Sequence, residues 1–575
     1  MEKRVLLAVF LSFLVLFVYQ SLVVPPAPPD EAVVDMAEAE APAPTPPGVP
    51  TPLSPAAGVA APPSAAPELE QVLTIVADTE PRDIFVDSPQ VTAVFSNRGA
   101  VLKSWRLTGY NDTLGEPMNL VPPIGTDPVP PFTIEVEDPE VTSRLAAALF
   151  RPSALTLRLG DAPQSLVFEY EDATGLRARK EFRFDPVVEA FVVRFSASVE
   201  ANGATLNPTV RWGPGLSTNT GSRSGFSYRQ LPQGIFHLDD DVERLDASDV
   251  EDQPAYQGAF GFVGIDDQYF LSAALPESAS ATVGYRPVMV GSGDAQKTLM
   301  AYALRFDAPP TGLAFYMGPK DFDILGSVDA ELVRAVHFGF FSWLVVPLHR
   351  SLKWVYGHLG NYGWSIIVLT IMINAAMFPL RHKSVVSMRK MQELQPEIKA
   401  IQERYKGLKA TDPDKQKMNQ EVMGLYRERG VNPASGCLPM LLTMPVLFAF
   451  YSLLSVAIEI RDAPFIFWIQ DLSQHDPMYV TPLLMGATMV AQQRMTPSTA
   501  DPAQQKVMML MPVVFTFMFL WAPSGLVLYW FVSNLWGVGQ QVLTNRIIGP
   551  PRVHTVRPPA ERQLKPKKKK KDGGR

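Results

Sequence analysis

Cysteine is almost absent. Cys437 is the only one in 575 residues, which excludes an intrachain disulfide framework and any site built from several thiolates. Charge is scarce as well, at 19% Asp, Glu, Lys and Arg, below the ~25% of ordinary soluble domains. The chain has seven histidines, and His237 is the only one between residues 71 and 325. Sugar chemistry that pairs histidine with a carboxylate therefore has little to draw on there. No nucleotide-binding motif is evident. Apolar residues are abundant, 47% of the total, and they gather into runs long enough to matter in lipid.

The first run, Val5–Val24, follows Met-Glu-Lys-Arg and is long enough to cross a ~30 Å hydrocarbon layer. A signal peptide shares that pattern. The length of the run, and the Val-Val-Pro-Pro that ends it in place of a small-x-small site, favour an uncleaved anchor over residues 1–24. Five further candidate spans fall at 364–380, 437–458, 478–493, 507–522 and 525–543. The run 335–348 is shorter and flanked by Arg334, His349 and Arg350. It reads as part of an interfacial amphipathic helix over 330–355.

Charge orients these spans. Residues 25–380 carry 23 Lys and Arg against 43 Asp and Glu, residues 381–436 carry 12 against 7, and residues 546–575 carry 11 against 2. Basic residues stay on the cytoplasmic side of a membrane. Six spans then place both termini, the loop 381–436 and the basic tail 546–575 in the cytoplasm. Residues 25–362 and the acidic loop 459–477 fall outside. A seventh span at 335–348 would put the basic loop on the wrong side.

Residues 25–70 hold 14 prolines and read as an extended Pro/Ala-rich linker. From about Gln71 the pattern changes to period-2 alternation, as in Val91–Phe95, Val101–Leu107, Ser165–Tyr170, Ala178–Phe184 and Phe191–Val199. This predicts an all-β sandwich over 71–325. The pairs Asp266-Asp267 and Asp239-Asp240-Asp241 read as solvated loop acids, and the domain as folded and non-catalytic.

Residues 383–430 predict a helical hairpin around Thr411-Asp412-Pro413, with one apolar stripe through Met388, Met391 and Leu394 and a second through Met418, Val422 and Leu425, beside Met423. Pro396 predicts a kink or restart. Such a hairpin is either a solvated strut or a docking arm whose methionines adapt to a partner. In the tail, Lys567, Lys568, Lys569, Lys570 and Lys571 satisfy the positive-inside bias and also suit contact with ribosomal RNA or anionic lipid.

Polar residues inside apolar spans are costly unless they face protein or water. Thr370 and Asn374 are four apart on one span, Thr443 lies in the next, and Tyr529 and Ser533 are four apart on the last. If their faces converge they wet part of the bilayer; otherwise they join helix to helix by hydrogen bonds. Arg381 follows Asn374 by seven residues, ~10 Å along a helix. It is either a positive site at the mouth of such a groove or an anchor for the end of its span.

Six segments together carry a resemblance: Asn361–Leu380 (NYGWSIIVLTIMINAAMFPL), Leu394-Gln-Pro-Glu-Ile, Val431–Pro445 (VNPASGCLPMLLTMP), Ala463–Pro477 (APFIFWIQDLSQHDP), Asp501–Lys506 (DPAQQK) and Pro523–Asn534 (PSGLVLYWFVSN). In this order they resemble the YidC/Oxa membrane protein insertases, in particular Gram-negative members with a large periplasmic domain. The resemblance implies a multi-domain membrane protein: a periplasmic β-supersandwich, and an α-helical bundle of six transmembrane helices, five of them forming an insertase core over 361–545. It also implies a groove open to cytoplasm and lipid, no cofactor or metal, no enzymatic step, and an inner-membrane location. Implied partners are nascent membrane proteins, the Sec translocon, the ribosome and signal recognition particle machinery, and the lipid bilayer. Asn374 stands where the family usually has a groove arginine, so that charge is missing at its usual position. A polytopic channel or transporter with a periplasmic binding domain is the competing class; it would be expected to show intramembrane charges and an inverted repeat.

Overall fold

The computed structural model describes residues 73–548, apart from 113–114, 122–128, 188, 217–231, 277–279, 291–296, 406–412, 432–437 and 496–501. The expected anchor, the linker, Cys437 and the lysine run lie outside the described residues.

Residues 74–319 form two sheets. The smaller has five strands in the order 117–119, 101–111, 91–96, 83–87 and 156–158, and the larger has 15. Strand 176–184 shows why they form: Leu176, Ala178, Lys180, Phe182 and Phe184 are buried and the residues between them are not. Period-2 side chains place one apolar face inward. The two sheets meet through Phe95 of the smaller and Phe182 of the larger, with ring centroids 4.7 Å apart. Phe132 adds edge contacts to Phe182 and Phe315. Three short helices belong to this half: α1 (Pro139–Ala147), α2 (Ala247–Asp252) and α3 (Phe322–Val328).

Within this core lies Lys180, 1% exposed. Its Nζ donates to the carbonyls of Gly99, Ala100 and Phe132 at 2.7, 3.2 and 2.8 Å. Those three residues all have positive φ, so one ammonium ties together turns that include two strained non-glycine backbones, at Ala100 and Phe132. Burial pushes its pKa down to about 7.

The acid pair Asp266-Asp267 corrects the sequence reading, because both residues are buried. Asp266 pairs with Lys320 at 2.9 Å and with Arg244 at 3.5 Å. Asp267 accepts from the amides of Tyr269 and Phe270 at 2.9 and 2.7 Å, and burial pushes its carboxyl up to about 6. Two acids at the end of a strand, one on cations brought from elsewhere in the chain and the other on backbone amides, have left solvent. Asp239 and Asp240 are exposed in a hairpin turn with positive φ, as solvated turn acids would be.

The helical half comprises α4 (Ser342–Leu359), α5 (Tyr362–Glu393), α6 (Gln395–Arg404), α7 (Pro413–Glu428), α8 (Leu438–Val456), α9 (Val480–Met495), α10 (Pro502–Met518) and α11 (Ser524–Ile548). Among the described residues, α5 is the one helix both long and apolar enough to cross a membrane; Met444–Val456 and Met508–Trp521 are shorter apolar stretches. Asn361 caps α5 by accepting from the Trp364 amide at 3.1 Å. The helix continues to Glu393, so the span and the start of the first hairpin arm predicted from 383 are one rod, because residues 381–393 contain no glycine or proline to separate them. The chain restarts at Gln395 with Pro396 in the first turn, where its missing N–H costs nothing. Helices α6 and α7 then pack together, with Arg404 on Glu421 and Arg429 on the buried Glu397, each at 2.8 Å.

The two halves are clasped at Glu459, which lies after α8. His349 Nε2 of α4 is 2.8 Å from Glu459 Oε1, and Lys353 lies 3.4 Å from the same atom while also pairing with Asp321 and Asp323. Burial opposes the charge on Glu459, but the hydrogen bond and charge of His349, together with a backbone amide and Lys353, jointly outweigh it and hold the carboxyl below the ordinary range. Glu459→Gln is expected to cost about 1–3 kcal/mol by leaving these donors poorly matched. Hydrogen exchange on the full chain should show faster exchange along α4; unchanged protection there would contradict the role of the clasp.

Candidate functional site

The polar residues of the spans meet on α5 and α11. Thr370 is fully buried and donates to the Ile366 carbonyl at 2.6 Å, a bond within its own helix. Asn374, 3% exposed, donates through Nδ2 to the Thr370 carbonyl at 2.8 Å and to Ser533 Oγ at 3.4 Å. Its Oδ1 accepts from Arg381 Nη1 at 2.8 Å. The guanidinium thus folds back along α5 by nearly two turns. Asn374 supplies the acceptor that keeps it there, and carries no opposing charge. Tyr529 packs flat on Phe450 of α8, with centroids 4.3 Å apart, so α8 joins the same assembly.

Five of the six predicted groove residues, Thr370, Asn374, Arg381, Tyr529 and Ser533, therefore lie on two facing helices. Thr443 is placed on α8, and its side chain lies outside the described residues. Met388 and Met391 are half-buried on the last turns of α5, and Leu394 is buried where α5 meets α6. On α7, Met418 is half-buried and Met423 exposed.

Sequence reasoning missed the continuation of the polar strip. Asn534, Gln540, Gln541 and Thr544 are all buried on α11. His382 Nδ1 lies 3.3 Å from Thr544 Oγ1, and Arg389 bonds Asn545. The signal was present: Ser533, Gln540 and Thr544 recur at helical spacings of seven and four, which puts them on one face. Their setting in an otherwise apolar run concealed it.

Around this strip, α9 packs on α11 and on α10, and α5 packs on α11 and α4. Gly486 permits the close approach of α9 and α10, since a Cβ there would lie 2.0 Å from Thr516 Oγ1. The outer face of α10 exposes Met509, Leu510, Val513 and Phe517, as a lipid-facing surface would. A polar seam inside the bundle, with an apolar face turned outward on α10, is the pattern of a helical membrane protein.

The comparisons agree. Residues 83–351 match the family described as YidC periplasmic domain, and residues 354–550 the family described as 60Kd inner membrane protein. The membrane protein insertase YidC of Geobacter metallireducens is 37% identical over 569 residues, 95% of this chain and 99% of that relative. That of Syntrophus aciditrophicus is 33% identical, covering 95% and 100%. A crystal structure titled as an active YidC insertase with its first transmembrane domain resolved is 18% identical, covering 82% of this chain and 95% of that one, with a TM-score of 0.34. The chain belongs to the YidC family of membrane protein insertases: inner-membrane proteins with a periplasmic domain, whose substrates are new membrane proteins.

Proposed function

We propose that the seam between α5 and α11 is the floor of a groove, open to the cytoplasm and closed on the far side, that receives hydrophobic segments of newly made proteins and releases them into the bilayer. The observation that carries this reading is the return of the Arg381 guanidinium to Asn374, which brings a positive charge back to the middle of α5. Polar groups there lower the cost of carrying a substrate's polar end into the membrane. The driving free energy comes from burying the substrate's own apolar segment, with no nucleotide, cofactor or catalytic residue taking part.

In this reading six spans hold both termini in the cytoplasm, and residues 383–430, the end of α5 with α6 and α7, form a cytoplasmic hairpin whose methionines dock a partner. The lysine run contacts ribosome or lipid. The protein works alone or beside the Sec translocon, receives chains from the ribosome and the signal recognition particle machinery, and also acts as a chaperone. The assigned units are an anchor at 1–24, a linker at 25–70, a β-domain at 71–325, an interfacial helix at 330–355, a core at 361–545 and a tail at 546–575.

Photocrosslinkers at Thr370, Thr443 and Tyr529 are expected to capture a stalled nascent chain. A crosslinker at the exposed Met372 should capture mainly lipid. Capture from Met372 alone would overturn the groove.

A further inference from the structure

The loop from Arg461 to Tyr479 contains three non-glycine residues at positive φ: Asp462, Phe467 and Tyr479. Phe467 is the most unusual of them, a bulky aromatic at φ +53 whose side chain is 77% exposed. An exposed apolar residue alone means little. An exposed aromatic on a backbone that glycine would occupy more easily is different, because strain of this kind persists only where surrounding structure enforces it.

The enforcement is visible. Phe465 N donates to the Ile469 carbonyl at 3.0 Å, and Gln470 Nε2 donates to the Phe467 carbonyl at 2.8 Å. Asn361, the cap of α5, donates to the carbonyls of Pro464 and Phe465 at 3.1 and 3.2 Å. Trp364 packs edge-on against Phe465, with centroids 5.6 Å apart. Gly363 leaves room for that ring, since a Cβ there would lie 2.0 Å from it. The loop tip is thereby bolted to the first turn of α5, and Phe467 is held at the level where that helix begins.

We propose that Phe467 is a lipid anchor, inserted among acyl chains at the extracytoplasmic surface of the membrane, and that the strained loop fixes its depth. This rests on reading α5 as a membrane span with its N-terminus outside. Met478, at the end of the same loop, and Leu483 of α9 are large apolar residues that are exposed as well, and one occupant, the bilayer around the spans, accounts for all three. Charge does not supply the attachment. Three of the four acids of this region are turned to internal work, Glu459 on His349, Asp471 on the amides of Asp462 and Ser473, and Asp476 on Thr481 and Trp468, while Asp462 is exposed. An acidic loop also repels anionic headgroups, which leaves apolar insertion as the means of attachment.

The test uses the full chain in lipid nanodiscs, with Cys437→Ala as background. Phe467→Cys carries an environment-sensitive NBD label, and Ile371→Cys, exposed in the middle of α5, serves as the reference. At 467 the expected result is blue-shifted emission, quenching by lipids with a nitroxide near the headgroup, and protection from iodide. Water-like emission open to iodide at 467, with a lipid signal at 371, overturns the anchor and leaves the span intact. A water-like signal at both positions overturns the span reading itself. Protection from both quenchers at 467 means that protein covers the site, which also overturns the proposal. Phe467→Gly separates anchoring from folding, because it relaxes the backbone while removing the ring. A label at Met478→Cys is then expected to shift toward water with no loss of thermal stability; an unmoved label counts against the anchor.

Discussion

Replacing Thr370 and Asn374 together with leucine is expected to lower membrane insertion by roughly 10- to 100-fold while leaving the fold intact. That range corresponds to losing one hydrogen bond to a charged group, about 1.5–3 kcal/mol. Asn374 supplies the acceptor for Arg381 Nη1. Without it the long side chain extends toward the cytoplasmic headgroups, and the middle of α5 loses its charge. Thr370 bonds only within its own helix, so its removal costs little stability. Insertion of a small phage-coat-like substrate in cells depleted of the native insertase measures the effect, and limited proteolysis checks the fold. Asn374→Asp sharpens the test, because an ion pair would hold the guanidinium in place while cancelling its charge. If the leucine variant inserts normally, the charge at this position has no part in the mechanism.

The second large effect is expected at Lys180. Lys180→Met removes the only described donor shared by the carbonyls of Gly99, Ala100 and Phe132. Each buried, unpaired carbonyl costs ~1–3 kcal/mol, so the β-domain should lose about 3–9 kcal/mol. The pH dependence gives a second readout. Burial lowers the folded-state pKa to about 7 from an ordinary 10.5. Between those values the unfolded chain binds the extra proton, so this group's contribution grows as pH rises above 7. Its slope approaches about 1.4 kcal/mol per pH unit. The contribution is lost as pH falls back through 7, below which both states are protonated. Thermal unfolding of the full chain between pH 7 and 9.5 should show this rise in the native protein and a flatter curve in Lys180→Met. Parallel curves would exclude Lys180 as the titrating group.

These two sites differ in how far the sequence reveals them. Thr370, Asn374, Tyr529 and Ser533 stand out because polar residues are rare in apolar runs, and helical spacing shows which of them share a face. Arg381 was harder to place. Its spacing puts it on the side of Asn374, yet only the path of the side chain separates a groove charge from an anchor at the end of the span. The alternation in strand 176–184 places Lys180 on the inward side. It does not reveal the acceptors there, since those carbonyls belong to turns about 50 and 80 residues away. Asp266 and Asp267 were misread for a related reason. Two adjacent acids resemble a solvated loop until Arg244 arrives from another strand and Lys320 from just past the end of one. The domain pattern is local and legible, whereas pairing across the fold is not.

Prolines sit inside α4, α5, α8 and α10, at Pro347, Pro379, Pro445 and Pro512. Each deletes one rung from its helical ladder and crowds the turn before it. Four helices of the bundle therefore carry a built-in point of compliance. A scaffold through which new membrane proteins pass gains from bending at set places while the rods between them stay stiff.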